Sequence, residues 1–435
     1  MSETILRADT IFHPVGQGGF TTGCLSLSNE PRHLLWPDLP AVPDRFFWAY
    51  DCGSDSHQGG LEAEIELLSQ RLQRRELGML VISHFDKDHI SGLTALLNRV
   101  KVDILLLPYA PLRERILSAF KAGADTEALR FAIDPVSFVA EKGQVNRIVL
   151  VPQSDGEGEG GASTVPIGPR PDTPIPETIS GTGPKEMEPE TAEDLDEYPV
   201  QPLSTGPALQ ILAAQASLSV WALWEFLPYN RRKWLDEANH QKLDIFYAGV
   251  DELRDGLLAG PNKKALDDLK NLYDKTFGGK SDPRNRISLA LSSAPLPRVQ
   301  RHRVQYSARL LNEDLDQNPR MESWRWSDPM LARADVVLTG DGSLKLAAFA
   351  EFASYYRWRI KGPFGFQVPH HGSKANYHTK LAVTVSPWIS VFCAEPTHGP
   401  TNHPDFIVHR SFERHQPIIV DGATGIHLCS RHQWH

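Results

Sequence analysis

The sequence predicts a layered α/β domain, and two observations carry that prediction. Short apolar runs of strand length recur on both sides of a Gly- and Pro-rich stretch. Segments whose apolar residues fall at helical spacing lie between those runs. A third observation concerns chemistry rather than fold. Acidic and imidazole groups gather where the runs end, most densely in VISHFDKDHISGL (81–93), with two histidines and two aspartates within six positions.

In chain order, RFFWAYDCG, LGMLVISH, VDILLLPY and NRIVLVPQ read as strands, with helices over 60–77 and 90–100. Residues 152–205 are rich in Gly, Pro, Glu and Thr and nearly free of aromatics. Such a segment buries too little apolar surface to offset chain entropy, so it is expected to be disordered or loosely draped. After it, LSVWALWEFLPY, RISLALSSA, ADVVLTGDG, FGFQVPHHGS, WISVFCAEP and QPIIVDGATGIHL are further apolar runs. Helical spacing within 230–278 predicts a helical insert. Neither side of 152–205 looks complete alone. Residues 1–151 and 206–435 are therefore expected to be two halves of one domain interrupted by the acidic segment.

Composition bounds the rest. The chain has 435 residues, ample for a core that stands without disulfide staples. Cys24, Cys52, Cys393 and Cys429 form no CxxC pair, and the first residues lack the basic start and apolar run of a signal peptide. A cytoplasmic protein is expected. ALQILAAQASLSVWALWEFL (208–227), which contains Gln210, Gln215 and Glu225, reads as buried core rather than a membrane span. Of the net charge of −9, residues 152–205 supply −10 from 12 acidic and 2 basic side chains, which leaves the remainder at +1. Bulk charge neither excludes nor favours an acidic target.

In the 81–93 stretch, His84, Asp86 and Asp88 recur every second residue and share one side of an extended loop, with His89 directly after. So many ligand-type groups are costly together unless something positive compensates the carboxylates, and divalent metal does so. Helix capping by Asp88 would account for one residue and leave the others unexplained.

His84-x-Asp86-x-Asp88-His89 resembles the HxHxDH signature of the metallo-β-lactamase superfamily, with its second histidine replaced. With the following ISGL it is similar to the metallo-β-lactamase domain of DNA-uptake competence proteins of the ComEC type. FHPVGQGGFTTG, FFWAYDCGS, RNRISLAL, ADVVLTGDG, FQVPHHGSK, TNHPD and IIVDGATGIHL resemble further elements of that family, in its order. The resemblance spans most of the chain apart from 152–205 and the helical insert.

The resemblance implies a four-layer αββα sandwich and two divalent metal ions, zinc or manganese, with magnesium also compatible. His84 and Asp86 would hold one ion, and Asp88 and His89 the other. Asp341 would bridge them, and a histidine of the HHGS turn, His371 in preference to His370, would complete the second site. The family's middle histidine has no counterpart; His240 and His302 read as surface groups. An oxygen ligand at Asp86 weakens the preference for zinc. Asp51, Asn285 and Ser288 would hold the ligand loops by hydrogen bonds, although Asp51 alone also reads as a plain turn cap. Ser373, Lys374, Asn402 and His403 would contact an anionic leaving group, with His403 as proton donor and Asp88 orienting the attacking water.

The implied activity is hydrolysis of a phosphodiester in nucleic acid or a nucleotide. The basic runs YNRRKW (229–234) and RVQRHRVQYSAR (298–309), with interleaved aromatics, would meet phosphates and bases, although such runs also occur as plain solvated faces. The alternatives are hydrolysis of another ester, thioester or amide, and a regulatory partner-binding module without turnover.

Overall fold

The computed structural model describes residues 3–30, 44–73, 75–120, 126–154, 160–161, 163–168, 185–186, 190–191, 206–231, 240–259, 263–277, 288–296, 303–312, 323–326, 335–397 and 403–434. Among them, the strands form two mixed sheets. The first runs, edge to edge, Glu190–Thr191, Ala208–Ile211, Val145–Val151, Val102–Pro108, Leu77–Val81, Asp44–Ser54, Gly18–Glu30, Glu3–Phe12, Thr424–Trp434, Arg303–Asn312 and Ser323–Trp326. The second runs Pro417–Val420, Ile389–Cys393, Gly365–Gln367, Val336–Leu338, Leu289–Pro295, Trp224–Arg231, Ser217–Val220, Ser163–Ile167 and Lys185–Glu186. Strands from both sides of the acidic segment share the first sheet, whereas those of the second come from within that segment and after it.

The unbroken apolar runs follow from burial on both faces. Met79, Val81, Ile104 and Leu106 point into a core between the sheets, where they meet Trp224, Leu291 and Leu338 of the second sheet. Their neighbours Leu80, Ile82, Leu105 and Leu107 point the other way, against the helices Gln58–Leu72, Leu93–Leu97 and Leu112–Phe120. On the second sheet's far side, Val337, Phe366 and Phe392 pack on Phe352 and Tyr356 of the helix Leu346–Tyr356. The packing order is helices, sheet, sheet, helices. The molecule is an α/β sandwich.

Several expectations need correction. The helix expected over 60–77 is Gln58–Leu72, and Leu77 already begins the next strand. LSVWALWEFLPY is two strands, Ser217–Val220 and Trp224–Arg231, joined by a tight turn in which Trp221 and Ala222 both take positive φ, 55° and 54°. Within 152–205, Ser163–Ile167 is a strand paired in parallel with Ser217–Val220, and Val165 and Ile167 are buried in the inter-sheet core. Two apolar side chains at alternate positions suffice to anchor it, so that part is not loosely draped. Most of the remaining acidic segment lies outside the described residues. The insert begins as strand up to Arg231; its helices are His240–Leu258 and Lys263–Phe277, packed through Phe246 and Tyr273 on Phe120. Among the described residues, no helix is long and apolar enough to cross a membrane.

Candidate metal centre

The strand Leu77–Val81 is buried throughout and delivers Ser83 and His84 at its end. A short helix, Lys87–Ile90, starts earlier than the sequence suggests. Asp88 lies inside it, and Asp86, at the capping position, makes no side-chain cap bond. Capping therefore accounts for neither carboxylate. The loop sits directly on the backbone of the neighbouring strands. A Cβ at Gly18 would lie 2.6 Å from the Asp88 carbonyl oxygen, and one at Gly53 2.5 Å from the His89 backbone nitrogen. Only glycine permits that approach.

The other half of the cluster comes from the second sheet. The strand Val336–Leu338 ends in Thr339-Gly340-Asp341. Gln367 Oε1 accepts the N–H groups of Thr339 and Gly340, both at 3.0 Å, and the Ser288 hydroxyl donates to the Thr339 carbonyl at 3.1 Å. The strand Gly365–Gln367 leads to His370 and His371, whose φ values of 49° and 54° are left-handed. For non-glycine residues such backbone is strained by about 1–3 kcal/mol each, and it clusters at functional sites.

These elements bring seven predicted side chains together, all buried: His84, Asp86, Asp88, His89, Asp341, His370 and His371. Asp88, His89, Asp341 and His371 each offer a ligand atom within 4.8 Å of the others, and so do His84, Asp86 and Asp88. His89 Nε2 is 3.3 Å from Asp341 Oδ1, and His371 Nε2 is 3.2 Å from Asp88 Oδ2 and 3.3 Å from Asp341 Oδ1. Asp341 Oδ2 lies 3.9 Å from His84 Nε2 and 3.3 Å from His370 Nδ1.

Hydrogen bonds behind the cluster fix which ring nitrogens face it. Asp51, itself at φ 56°, accepts from the Ser83 N–H at 2.7 Å, the Ser83 hydroxyl at 2.8 Å and His89 Nδ1 at 2.7 Å. Having donated its proton to Asp51, the Ser83 hydroxyl accepts from His84 Nδ1 at 2.8 Å. The Cys393 carbonyl can only accept, so His371 Nδ1 is the donor of their 2.5 Å bond. In each neutral ring, Nε2 then presents a lone pair to carboxylate oxygens, a repulsive arrangement unless a proton or a metal ion sits between. His89 Nε2 is buried and makes no hydrogen bond among the described residues. The donor set fits a divalent cation.

The electrostatics agree. Burial opposes charge on His89, but Asp51, Asp88 and Asp341 outweigh it and hold its pKa well above the usual imidazole range. Burial likewise opposes charge on His371, and Asp341 and Asp88 raise its pKa. Burial alone would raise Asp88 and Asp341. Instead His89 and His371 hold Asp88 below the usual carboxylate range, and His370, His371 and His89 do so for Asp341. Without metal, protons on His89 and His371 would supply positive charge.

Fold and site together define a class: an α/β sandwich with a buried His/Asp cluster able to hold metal. No family model matches the chain, and no curated protein matches it.

The remaining predicted residues divide. Asp51 and Ser288 support the two ligand loops, as described. Ser373 is buried beside His370, Lys374 is exposed in the next turn, and the His403 ring lies 6.0 Å from that of His370 and 6.4 Å from that of His371. Asn285, Asn402 and His302 lie outside the described residues, as does the His240 side chain. The basic runs are only partly accessible where they are described: Arg309 is exposed, whereas three other members are committed elsewhere. Tyr229 and Tyr306 are core residues, and Arg231 is committed to Glu351 at 2.6 and 3.2 Å, so none of the three is available to nucleic acid. Sequence reading missed Ser83, Gln367, the Cys393 carbonyl and Ser118, whose hydroxyl donates to Asp86 Oδ1 at 3.2 Å. Only Ser83, between a strand and the first histidine, carried a usable signal.

Proposed function

We propose that the chain is a metallo-β-lactamase-type hydrolase that uses two divalent ions to cleave phosphodiester bonds in nucleic acid or a nucleotide. The observation that carries this reading is the convergence of four histidines and three aspartates, with the Nε2 atoms of His84, His89 and His371 turned inward by Asp51, Ser83 and the Cys393 carbonyl. Asp88, His89 and His371 would hold one ion and His84 and Asp86 the other, with Asp341 between them. His370 Nδ1 faces the same Asp341 oxygen as His84, so it is the candidate for the ligand that the sequence lacks between its HxDxDH and TGD motifs. When bound, the ions would acidify a water and polarise the phosphoryl oxygen. Asp88 orients that water, and His403, half-exposed at the edge of the cluster, returns a proton to the leaving group. The choice of phosphodiester rests on the resemblance to ComEC-type domains, and manganese is favoured because Asp86 supplies oxygen where the superfamily has nitrogen.

Metal-stripped protein is expected to be inactive on bis-p-nitrophenyl phosphate and to regain activity with manganese. Asp88→Ala and Asp341→Ala should abolish that activity while circular dichroism stays unchanged. Absence of turnover with every divalent ion and phosphodiester offered would defeat the proposal and favour another bond or a non-enzymatic role.

A further inference from the structure

On the outer face of the first sheet, beside the C-terminal turn of the helix Gln58–Leu72, lies a cavity of about 500 Å³. The helix begins next to the metal loop, where Ser54 meets Ser91, and spans roughly 22 Å, so the cavity is well separated from the metal centre. Strand alternation places Arg7, Asp9 and Ile11 on this face while Leu6 and Ala8 point into the core. Asp9 is the one carboxylate of the lining among the described residues, and it is neutralised: Arg7 donates to it at 2.8 and 3.1 Å and His427 at 2.7 Å. Arg45, Arg71 and Arg309 also line the cavity, and none of them has an ion-pair partner among the described residues. Ile11, Phe47, Leu68 and Leu311 supply an apolar wall.

Three guanidinium groups around one cavity, with no ion-pair partner among the described residues, call for an anion. The planar fork of arginine matches phosphate with paired hydrogen bonds, and the wall suits a flat apolar body. The volume is within the range of small-ligand sites. We infer that this cavity is a second binding site, separate from the His/Asp cluster, for a nucleoside phosphate, either free or at the end of a chain. The inference does not depend on the metal-centre reading.

The test is calorimetric titration in the presence of chelator with inorganic phosphate, adenosine monophosphate and a short 5′-phosphorylated oligonucleotide. Wild type, Asp341→Ala and the double variant Arg45→Ala/Arg309→Ala are compared. Binding of adenosine monophosphate or the oligonucleotide should be equal in wild type and Asp341→Ala. It should weaken by about tenfold or more in the double variant, which removes two charge-assisted contacts. Equal affinity for the two probes identifies a free nucleotide, and preference for the oligonucleotide identifies a chain end. Affinity that survives in the double variant, or binding of none of the probes, overturns the inference. Arg45 is half-buried and Arg309 exposed, so the variant is expected to fold, which a thermal melt verifies.

Discussion

Asp51 shows how one residue governs several others. It touches His89 directly and His84 through Ser83, so a single carboxylate sets the tautomer of two candidate ligands. In Asp51→Asn an amide replaces an acceptor-only group, and one face of it now donates toward the Ser83 and His89 protons. Metal affinity should fall by about 10–100-fold in chelator competition, the usual effect of losing such a partner. Unchanged affinity would show that Asp51 does not orient the ligands. Its supporting role was legible only through the resemblance of FFWAYDCGS to a family element, since a strand-end aspartate 33 positions before His84 reads by itself as a turn cap. The Cys393 carbonyl was not legible, since a backbone oxygen leaves no mark in the residue alphabet. Which histidine of the HHGS turn reaches which carboxylate was also hidden, because it depends on two left-handed residues in succession.

At the scale of elements, the strand Ser163–Ile167 changes what removal of the acidic segment would do. Deleting 152–205 would strip Val165 and Ile167 from the inter-sheet core and bare the edge of Ser217–Val220. Burial of two such side chains stabilises by about 3–6 kcal/mol, so the deletion should lower the melting temperature clearly. An unaltered melt would mean the strand contributes nothing. The strand escaped notice because two apolar positions are averaged away among glycines, prolines and acids. The Trp221–Ala222 turn escaped for the opposite reason. Its three-residue loop holds two left-handed residues with neither Gly nor Asn to announce them, so two strands read as one run. The other strands were legible because burial on both faces leaves continuous apolar stretches.

For the whole molecule, protons and a bound metal would compete for the same nitrogens. His89 and His371 have raised pKa values, so their contribution to metal-free stability is present at low pH and lost as pH rises through those values. Asp88 and Asp341 are depressed, so theirs is present above the normal carboxylate range and lost on acidification. A divalent ion bound there would have to displace the protons of His89 and His371. Its affinity, and the rise in melting temperature it causes, should therefore grow from mildly acidic to mildly alkaline pH, with proton release detectable in weakly buffered solution. A pH-independent shift, or one that persists in Asp341→Ala, would place the ion elsewhere.

The bond between Asp88 and His371 joins positions 283 residues apart. Bringing such distant points of a free chain together costs roughly 5 kcal/mol of configurational entropy, so the complete ligand set cannot gather in a partly made chain. An ion held there would act as a clasp on a finished box, tying the two halves of the chain through one shared cluster.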